Sequence, residues 1–406
     1  MILFSEAIKK IEESIILMET EKIDFKKSIN RVLAESVYSD IEMPPFNKSA
    51  MDGYACKNQD IQNELKVIEI IPAGVIPQKN IGKNECSKIM TGAMMPEGSD
   101  CVIIVENVEE TGDNKIKYLH KETRNNICFK AEDIKQNEQI LPKGTFIKPQ
   151  HIAVLATTGN TNLKVYKQPK IAVLSTGDEL VEPYEKPEIS KIRNSNAYQI
   201  ISQLDSLRIN GNYMGIVEDT EKSTYDNISK ALEQNDVVLL TGGVSMGDFD
   251  FVPKILKKLN IKIHFDSIAV QPGRPTTFGT RQNKYVFGLP GNPVSSFVQF
   301  ELLVKPFLYK MMGYNFEATN ISLKMGEDYS RKNKKRMSWI PISINENSDI
   351  IPLKYHGSAH INALTYADGL INVPVGKTSL KKGDFVNVRQ IWQKNKLPKN
   401  FSYRPL

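Results

Sequence analysis

The 406-residue sequence has only 4 cysteines, 5 histidines and 2 tryptophans. Cys56, Cys86, Cys101 and Cys128 show no CxxC spacing and have no paired histidines nearby, which argues against a zinc site or a thioredoxin-type pair. Buried, reduced thiols are expected instead. No apolar run approaches the roughly 20 residues that a bilayer-spanning helix needs. The longest runs, around Ile171–Leu174 and Val238–Leu240, have strand length, so no membrane partner is expected. The opening MILFSEAIKK has no basic segment ahead of an apolar one, so no signal peptide is read and the expected location is the cytoplasm. Charge of one sign is not in large excess either. The 53 Lys and Arg against 47 Asp and Glu leave a net +6, too weak a balance to imply a nucleic-acid partner. The basic runs Arg331–Arg336 and Gln393–Lys399 are expected as solvated loop and tail.

With 40% hydrophobic and 25% charged residues, the chain has the composition of an ordinary folded protein. Its length gives room for about two to four domains. Phe4, Ala7, Ile8, Ile11, Ile15 and Ile16 recur at helical spacing, which predicts an amphipathic helix over 4–16. After the Pro44–Pro45 pair, short β-type runs (Val67–Ile71, Cys101–Val108, Lys115–Leu119) broken by Gly, Pro and Asn turns predict a mostly β module to about Thr145. From about Lys170 the runs Ile171–Leu174, Val237–Leu240 and Tyr285–Phe287 alternate with helical stretches at Ala197–Leu207, Lys222–Gln234 and Pro253–Leu259, a βαβ pattern on a parallel sheet. Beyond about Ala318 the runs Trp339–Ile344, Gly369–Val375 and Phe385–Ile391 predict a small β domain. Residues 152–159 (IAVLATTG) echo 171–177 (IAVLSTG), and both are read as strands with similar exits.

In an open parallel sheet, ligands bind beyond the carboxyl ends of the strands. Three loops share that address: Ser175–Leu180 (STGDEL), Thr241–Asp250 (TGGVSMGDFD) and Gly288–Ser295 (GLPGNPVS). Gly242 and Gly243 let backbone approach a phosphate or pterin closely, Ser245 adds a hydroxyl, and Asp248 and Asp250 are candidates to hold a divalent cation. None of the loops matches GxGxxG or the Walker lysine pattern. The residues alone point to a phosphorylated ligand with a metal. The substrate-binding candidates are Ser175, Thr176, Gly177, Asp178, Gly242, Gly243, Ser245, Pro290, Gly291, Asn292 and Pro293.

Taken together, PFNKSAMDGYA at 45–55, IMTGA at 89–93, STGDEL, GGVSMG at 242–247, QPGRP at 271–275 and LPGNP at 289–293 run in order through a chain that resembles the molybdopterin molybdenumtransferase family, MoeA and the gephyrin E domain. The resemblance spans essentially the whole chain. It implies an α/β multidomain protein. An α/β/α molybdopterin-binding domain would comprise 1–22 and 168–318, an elongated connecting domain 23–44 and 146–167, a small mostly-β module 45–145, and a C-terminal β-barrel-like domain 319–406. It also implies a homodimer whose cleft lies between the α/β domain of one protomer and the small module of the other. The implied activity is insertion of molybdate into adenylylated molybdopterin, with Mg²⁺-dependent hydrolysis of the adenylate and release of AMP. The substrate would come from a molybdopterin adenylyltransferase upstream. The positions matching functional residues of the family are Asp52, Thr91 and Asp133 on the small module and Glu179, Asp219 and Asp250 on the α/β cleft, with Asp219 and Asp250 as Mg²⁺ holders. Pro290 and Pro293 match a rigid loop lining the cleft.

For the oxyanion, the matching residues are Gln271, Arg274 and Ser358. Two positions depart from the usual pattern. QPGRP commonly reads KPGKP in the family, and Pro341 stands where an arginine commonly follows an aromatic by two residues. Lys335, Arg336, His356 and His360 are the nearby candidates to replace the missing charge. The departures bear on the choice between molybdate and tungstate. The alternative readings are a tungstate-preferring transferase and a non-catalytic dimeric scaffold of the gephyrin type; a nucleotide-processing protein on the same fold is disfavoured by SAMDGYA and the C-terminal β domain.

Overall fold

The computed structural model describes residues 1–243, 251–353, 357 and 359–391. They divide into two compact units, one made of residues 1–21, 30–34 and the chain from 164 onward, the other of residues 22–29 and 35–163. No helix among the described residues is long and apolar enough to cross a membrane.

In the second unit six strands form one sheet in the order Cys101–Ile104, Gly53–Cys56, Glu85–Ile89, Glu64–Ile71, Lys115–Tyr118, Val108–Gly112. Side chains alternate faces along a strand. Tyr54 and Cys56 therefore enter one core with Leu65, Ile103 and Ile116, while Ala55 enters another with Ile71, Ile89 and Val102. The register sets Cys86, Cys56 and Cys101 abreast on three neighbouring strands. All four cysteines are free, these three buried and Cys128 half-buried. The Cys101 thiol, 3.6 Å away, and burial raise the Cys56 thiol, and burial pushes Cys86 up to about 12, so both stay protonated and unreactive at neutral pH.

Residues 152–159, expected as a strand, lie instead in and just beyond the helix Pro149–Thr157. Pro149 opens that helix, where its missing N–H costs nothing. Leu155 is its one buried residue, so the segment covers a surface rather than filling a sheet.

In the first unit the N-terminal helix spans Phe4–Ser14 with Ala7 and Ile11 buried; it ends short of the expected Ile16, whose N–H donates to Tyr285 Oη at 2.8 Å. The central sheet has the order Gly211–Val217, Ile171–Thr176, Val237–Thr241, Lys284–Leu289, Thr277–Arg281, Lys262–Phe265. Its first four strands are parallel and its last two pairings are antiparallel, so the βαβ reading holds for four strands of a mixed sheet. Ala172, Leu174, Val238 and Leu240 pack against Ile228, Leu232, Ile255 and Leu256 of the helices Glu221–Gln234 and Val252–Lys258. The intervening Val173, Leu239 and Phe287 are fully buried as well, so both sheet faces are covered, as continuous apolar runs require.

The C-terminal sheet has the order Val270–Gln271, Met337–Ile344, Gly369–Val373, Phe385–Gln390, Asn320–Lys324. Its core is Met325, Ile340, Ile342, Ile371, Val373 and Val388. The first of these strands belongs in sequence to the α/β region and pairs in parallel with Met337–Ser338.

Candidate functional site

The strand order reverses beside Ile171–Thr176: the next strand, Gly211–Val217, lies on one side and the following one, Val237–Thr241, on the other. The crevice at their carboxyl ends is the topological switch point, where doubly wound sheets bind ligands. Thr176 and Thr241 stand on its two sides. Gly242 and Gly243 follow with positive φ, and a Cβ at either would meet Thr176 O at 2.3 Å or Thr176 Oγ1 at 2.4 Å, so only glycine brings the loop this close.

Asn196, first residue of the helix Asn196–Ser206, ties the crevice together. Its amide donates to Thr241 Oγ1 at 2.8 Å and to Gly291 O at 2.7 Å. Buried Thr176 Oγ1 and Asn196 Oδ1 have no hydrogen-bond partner among the described residues. Leaving such a group unpaired costs about 1–3 kcal/mol, so both mark positions where a ligand or water completes the structure. Ser175 directs its hydroxyl to Asn194 Oδ1 at 3.0 Å, Asn194 donates to Tyr213 Oη at 2.8 Å, and Tyr213 donates to Glu182 Oε1 at 2.6 Å. This buried relay holds the strand end. Neither Asn194 nor Asn196 emerges from the sequence reading, because Asn at a helix start is ordinary capping chemistry.

Asp178 and Asp219 hold each other. The Asp178 N–H donates to Asp219 Oδ2 at 3.2 Å, and the Asp219 N–H donates to Asp178 Oδ1 at 3.0 Å. Glu179 is exposed beside them and accepts the Ile192 N–H on its carbonyl at 2.8 Å. Gly177, between Thr176 and these acids, directs its N–H to Val217 O at 3.5 Å. No group of three or more potential metal ligands occurs among the described residues. Two converging carboxylates nevertheless suit magnesium, which takes one or two protein carboxylates and completes its shell with water and substrate phosphate. Ser245, Asp248, Asp250, His356 and Ser358 lie outside the described residues.

A pocket of about 740 Å³ lies where the α/β region meets the C-terminal sheet. Gln271, Arg274, Pro290 and Asn292, four of the expected site residues, line it. Asn292 is the residue before the helix Pro293–Gln299, whose first turn Pro293 opens. Fully buried Gln299 at its far end donates to Pro272 O at 2.8 Å and so fastens the Gln271–Pro275 loop. Pro341 is buried opposite Leu370 in the C-terminal sheet. The basic run is not wholly solvated: Lys332–Lys335 are exposed, but Arg336 lines the pocket and Arg331 directs its guanidinium to Lys377 O, Arg336 O, Ser338 Oγ and Pro374 O.

In the second unit, Asp52 and Thr91 meet. Asp52 Oδ1 accepts the Thr91 N–H at 2.6 Å and the Thr91 hydroxyl at 2.9 Å, and these bonds, the backbone one foremost, hold the Asp52 carboxyl below the usual carboxylate range. Asp133 sits at a separate corner, its N–H donating to Met43 O at 3.0 Å, and no hydrogen bond joins it to Asp52 or Thr91.

Three family models match the chain in succession: the MoeA N-terminal region (domain I and II) over residues 2–159, a probable molybdopterin binding domain over 172–310, and the MoeA C-terminal region (domain IV) over 323–391. A molybdopterin molybdenumtransferase of Staphylococcus epidermidis is 35% identical over 396 residues, covering 94% of this chain and 94% of its own. One of Staphylococcus aureus is 35% identical over 397 residues with the same coverage. Two crystal structures of the molybdopterin biosynthesis MoeA protein of Pyrococcus horikoshii superpose with TM-scores of 0.79 and 0.83 at 30% and 28% identity, covering 96% of this chain and 98% and 100% of theirs.

Proposed function

This chain belongs to the molybdopterin molybdenumtransferase family, and from that premise we propose how its residues carry out the transfer. It is a transferase of molybdenum cofactor biosynthesis, and its organic substrate is molybdopterin. The finer reading is that molybdopterin arrives adenylylated, as the product of a molybdopterin adenylyltransferase. Molybdenum from molybdate then enters the dithiolene while the adenylate is hydrolysed and AMP leaves.

The strand-end crevice receives the adenylylated pterin. Thr176 Oγ1 and Asn196 Oδ1, buried at the switch point and without a partner among the described residues, carry this reading. A ligand that pairs them removes a standing penalty and is thereby oriented. Asp178 and Asp219 would hold Mg²⁺, with Asp250, outside the described residues, added by the resemblance, and Glu179 stands beside the first two. Magnesium, when bound, supplies the positive charge that polarises the phosphate to be cleaved. The neighbouring pocket, through Gln271 and Arg274, takes the oxyanion, and Ser358, outside the described residues, is added by the resemblance alone. Asp52, kept ionised by Thr91, and Asp133 serve the same reaction from the small module of a homodimer, a role that rests on the resemblance. The cytoplasm is the proposed location.

The test is AMP release from adenylylated molybdopterin by the purified protein with Mg²⁺, run with molybdate, with tungstate and with neither. Oxyanion-stimulated release is expected. Tight adenylate binding without release under any of the three conditions overturns the transfer and leaves a binding role.

A further inference from the structure

We infer that Arg336 supplies the positive charge that holds the tetrahedral oxyanion in the pocket beside the C-terminal sheet, with Gln271 as its neutral partner. This deepens the reading of that pocket as the oxyanion site and rests on it.

Residues 65 positions apart are brought together by register. Val270 and Gln271 pair in parallel with Met337 and Ser338, and the Met337 N–H donates to Ala269 O at 2.9 Å. Arg336 is thus fixed one residue before the pairing begins. Its main chain is held a second time from the other side, because Arg331 Nη1 donates to Arg336 O at 2.6 Å while the rest of the Arg331 guanidinium reaches Lys377 O, Pro374 O and Ser338 Oγ. The two arginines of one basic run divide the work: Arg331 is occupied by internal acceptors, and Arg336 is presented to the pocket.

Arg336 Nη2 donates to Gln271 Oε1 at 3.4 Å, the one hydrogen bond from its side chain among the described residues. Most of its five N–H donors therefore remain for a ligand. The same contact settles how Gln271 can serve an anion. A glutamine amide carries both an acceptor and two donors, and an acceptor facing an oxyanion is repulsive. With Oε1 turned to Arg336, the amide NH₂ is the end left for the pocket. Arg274, exposed on the same lining, adds a second cation.

The acids nearby do not cancel this. Asp328 lines the pocket but accepts from Lys381 Nζ at 2.8 Å and from the Lys382 N–H at 2.8 Å, which leaves Glu327 as the opposing charge. Of the other described cationic candidates, neither Lys335 nor His360 lines the pocket.

The experiment is equilibrium dialysis of the full-length protein against molybdate with metal analysis, alongside the oxyanion dependence of AMP release. Arg336→Gln is expected to weaken molybdate binding about tenfold or more, the effect of losing a charged hydrogen bond, with the affinity for adenylylated molybdopterin changed less than about threefold. Adding Gln271→Lys to that variant returns a charge to the pocket and is expected to recover most of the loss. Failure of the rescue in a double variant that melts like the parent overturns the charge assignment. Arg274→Gln separates the two readings. If it weakens molybdate binding and Arg336→Gln does not, the inference falls and the pocket stands; if neither does, both fall. Gln271→Glu, which neutralises Arg336 without removing it, tests the same point should Arg336→Gln fold poorly. Unchanged molybdate affinity in Gln271→Glu overturns the inference.

Discussion

The strand-end crevice and the pocket, the two regions of the first unit proposed to bind ligands, carry charge of opposite sign. At the strand ends, Asp178 and Asp219 are like charges, and each accepts the other's backbone N–H, at 3.0 and 3.2 Å. In the pocket, Arg274 and Arg336 are like charges of the other sign, and Arg336 is steadied by the neutral amide of Gln271 and by the carbonyl grip of Arg331. In the pocket, the side-chain partner of Arg336 among the described residues is a neutral amide rather than a carboxylate. A salt bridge would satisfy the side chain and leave little field for a ligand. Elsewhere in the unit an ion pair does form, between Lys305 and buried Glu301 at 2.9 Å.

This contrast predicts variants that affect one region and spare the other. The largest effect is expected from Asp219→Asn, which removes a carboxylate from the crevice. Turnover should fall on the order of 100-fold or more with Mg²⁺ while the molybdate concentration giving half-maximal rate stays put, since the charge lost was aimed at phosphate and metal. A parallel shift in molybdate dependence would show that the two regions are not separate. A smaller and opposite effect is expected in the pocket. Glu327→Gln removes the lining acid that has no ion-pair partner among the described residues and should lower the half-saturating molybdate concentration by about two- to fivefold at low ionic strength, the gain shrinking with added salt. A rise instead would make Glu327 a ligand-orienting residue.

The smallest effect concerns Asp52 in the second unit, an acid held by two donors from one neighbour. Its folded pKa lies below the ordinary 3.8, so the stabilisation from its Thr91 bonds is present above that value and is lost as pH falls through the lower folded pKa. Thr91→Ala keeps the backbone N–H and deletes the hydroxyl, so the Asp52 pKa should rise part of the way toward 3.8 in a carbon-detected NMR titration, narrowing the acid window. No change would assign the whole depression to the backbone bond.

How legible these regions were depends on the kind of contact. The strand-end loops could be read because glycine and acid at the exit of an apolar run is a local signal: Thr176 and Gly242 meet in the crevice as expected, and Gln271, Arg274, Pro290 and Asn292 share one pocket. Asn194, Asn196 and Gln299 could not, because a polar residue beside a helix looks the same whether it caps its own turn or reaches Tyr213, Gly291 or Pro272. The basic run misled for the same reason. Composition marks Arg331–Arg336 as solvent-facing, and only pairing with Val270–Gln271 at one end and bonds to Pro374, Lys377 and Thr378 at the other turn its ends inward.

The clearest limit is the tetrapeptide IAVL, which occurs twice. At 171–174 it is a fully buried strand with a parallel neighbour on each side; at 152–155 it is helix. By itself the sequence determined the succession of β, α/β and β regions, the strand-exit loops and the family, since these rest on periodicity and on motifs carried within a few residues. Tertiary structure decided which IAVL became a strand, which arginine faces the pocket and which asparagine closes the crevice. Short apolar segments have nearly equal local preferences, so the neighbours available to bury their faces and pair their backbone settle the outcome.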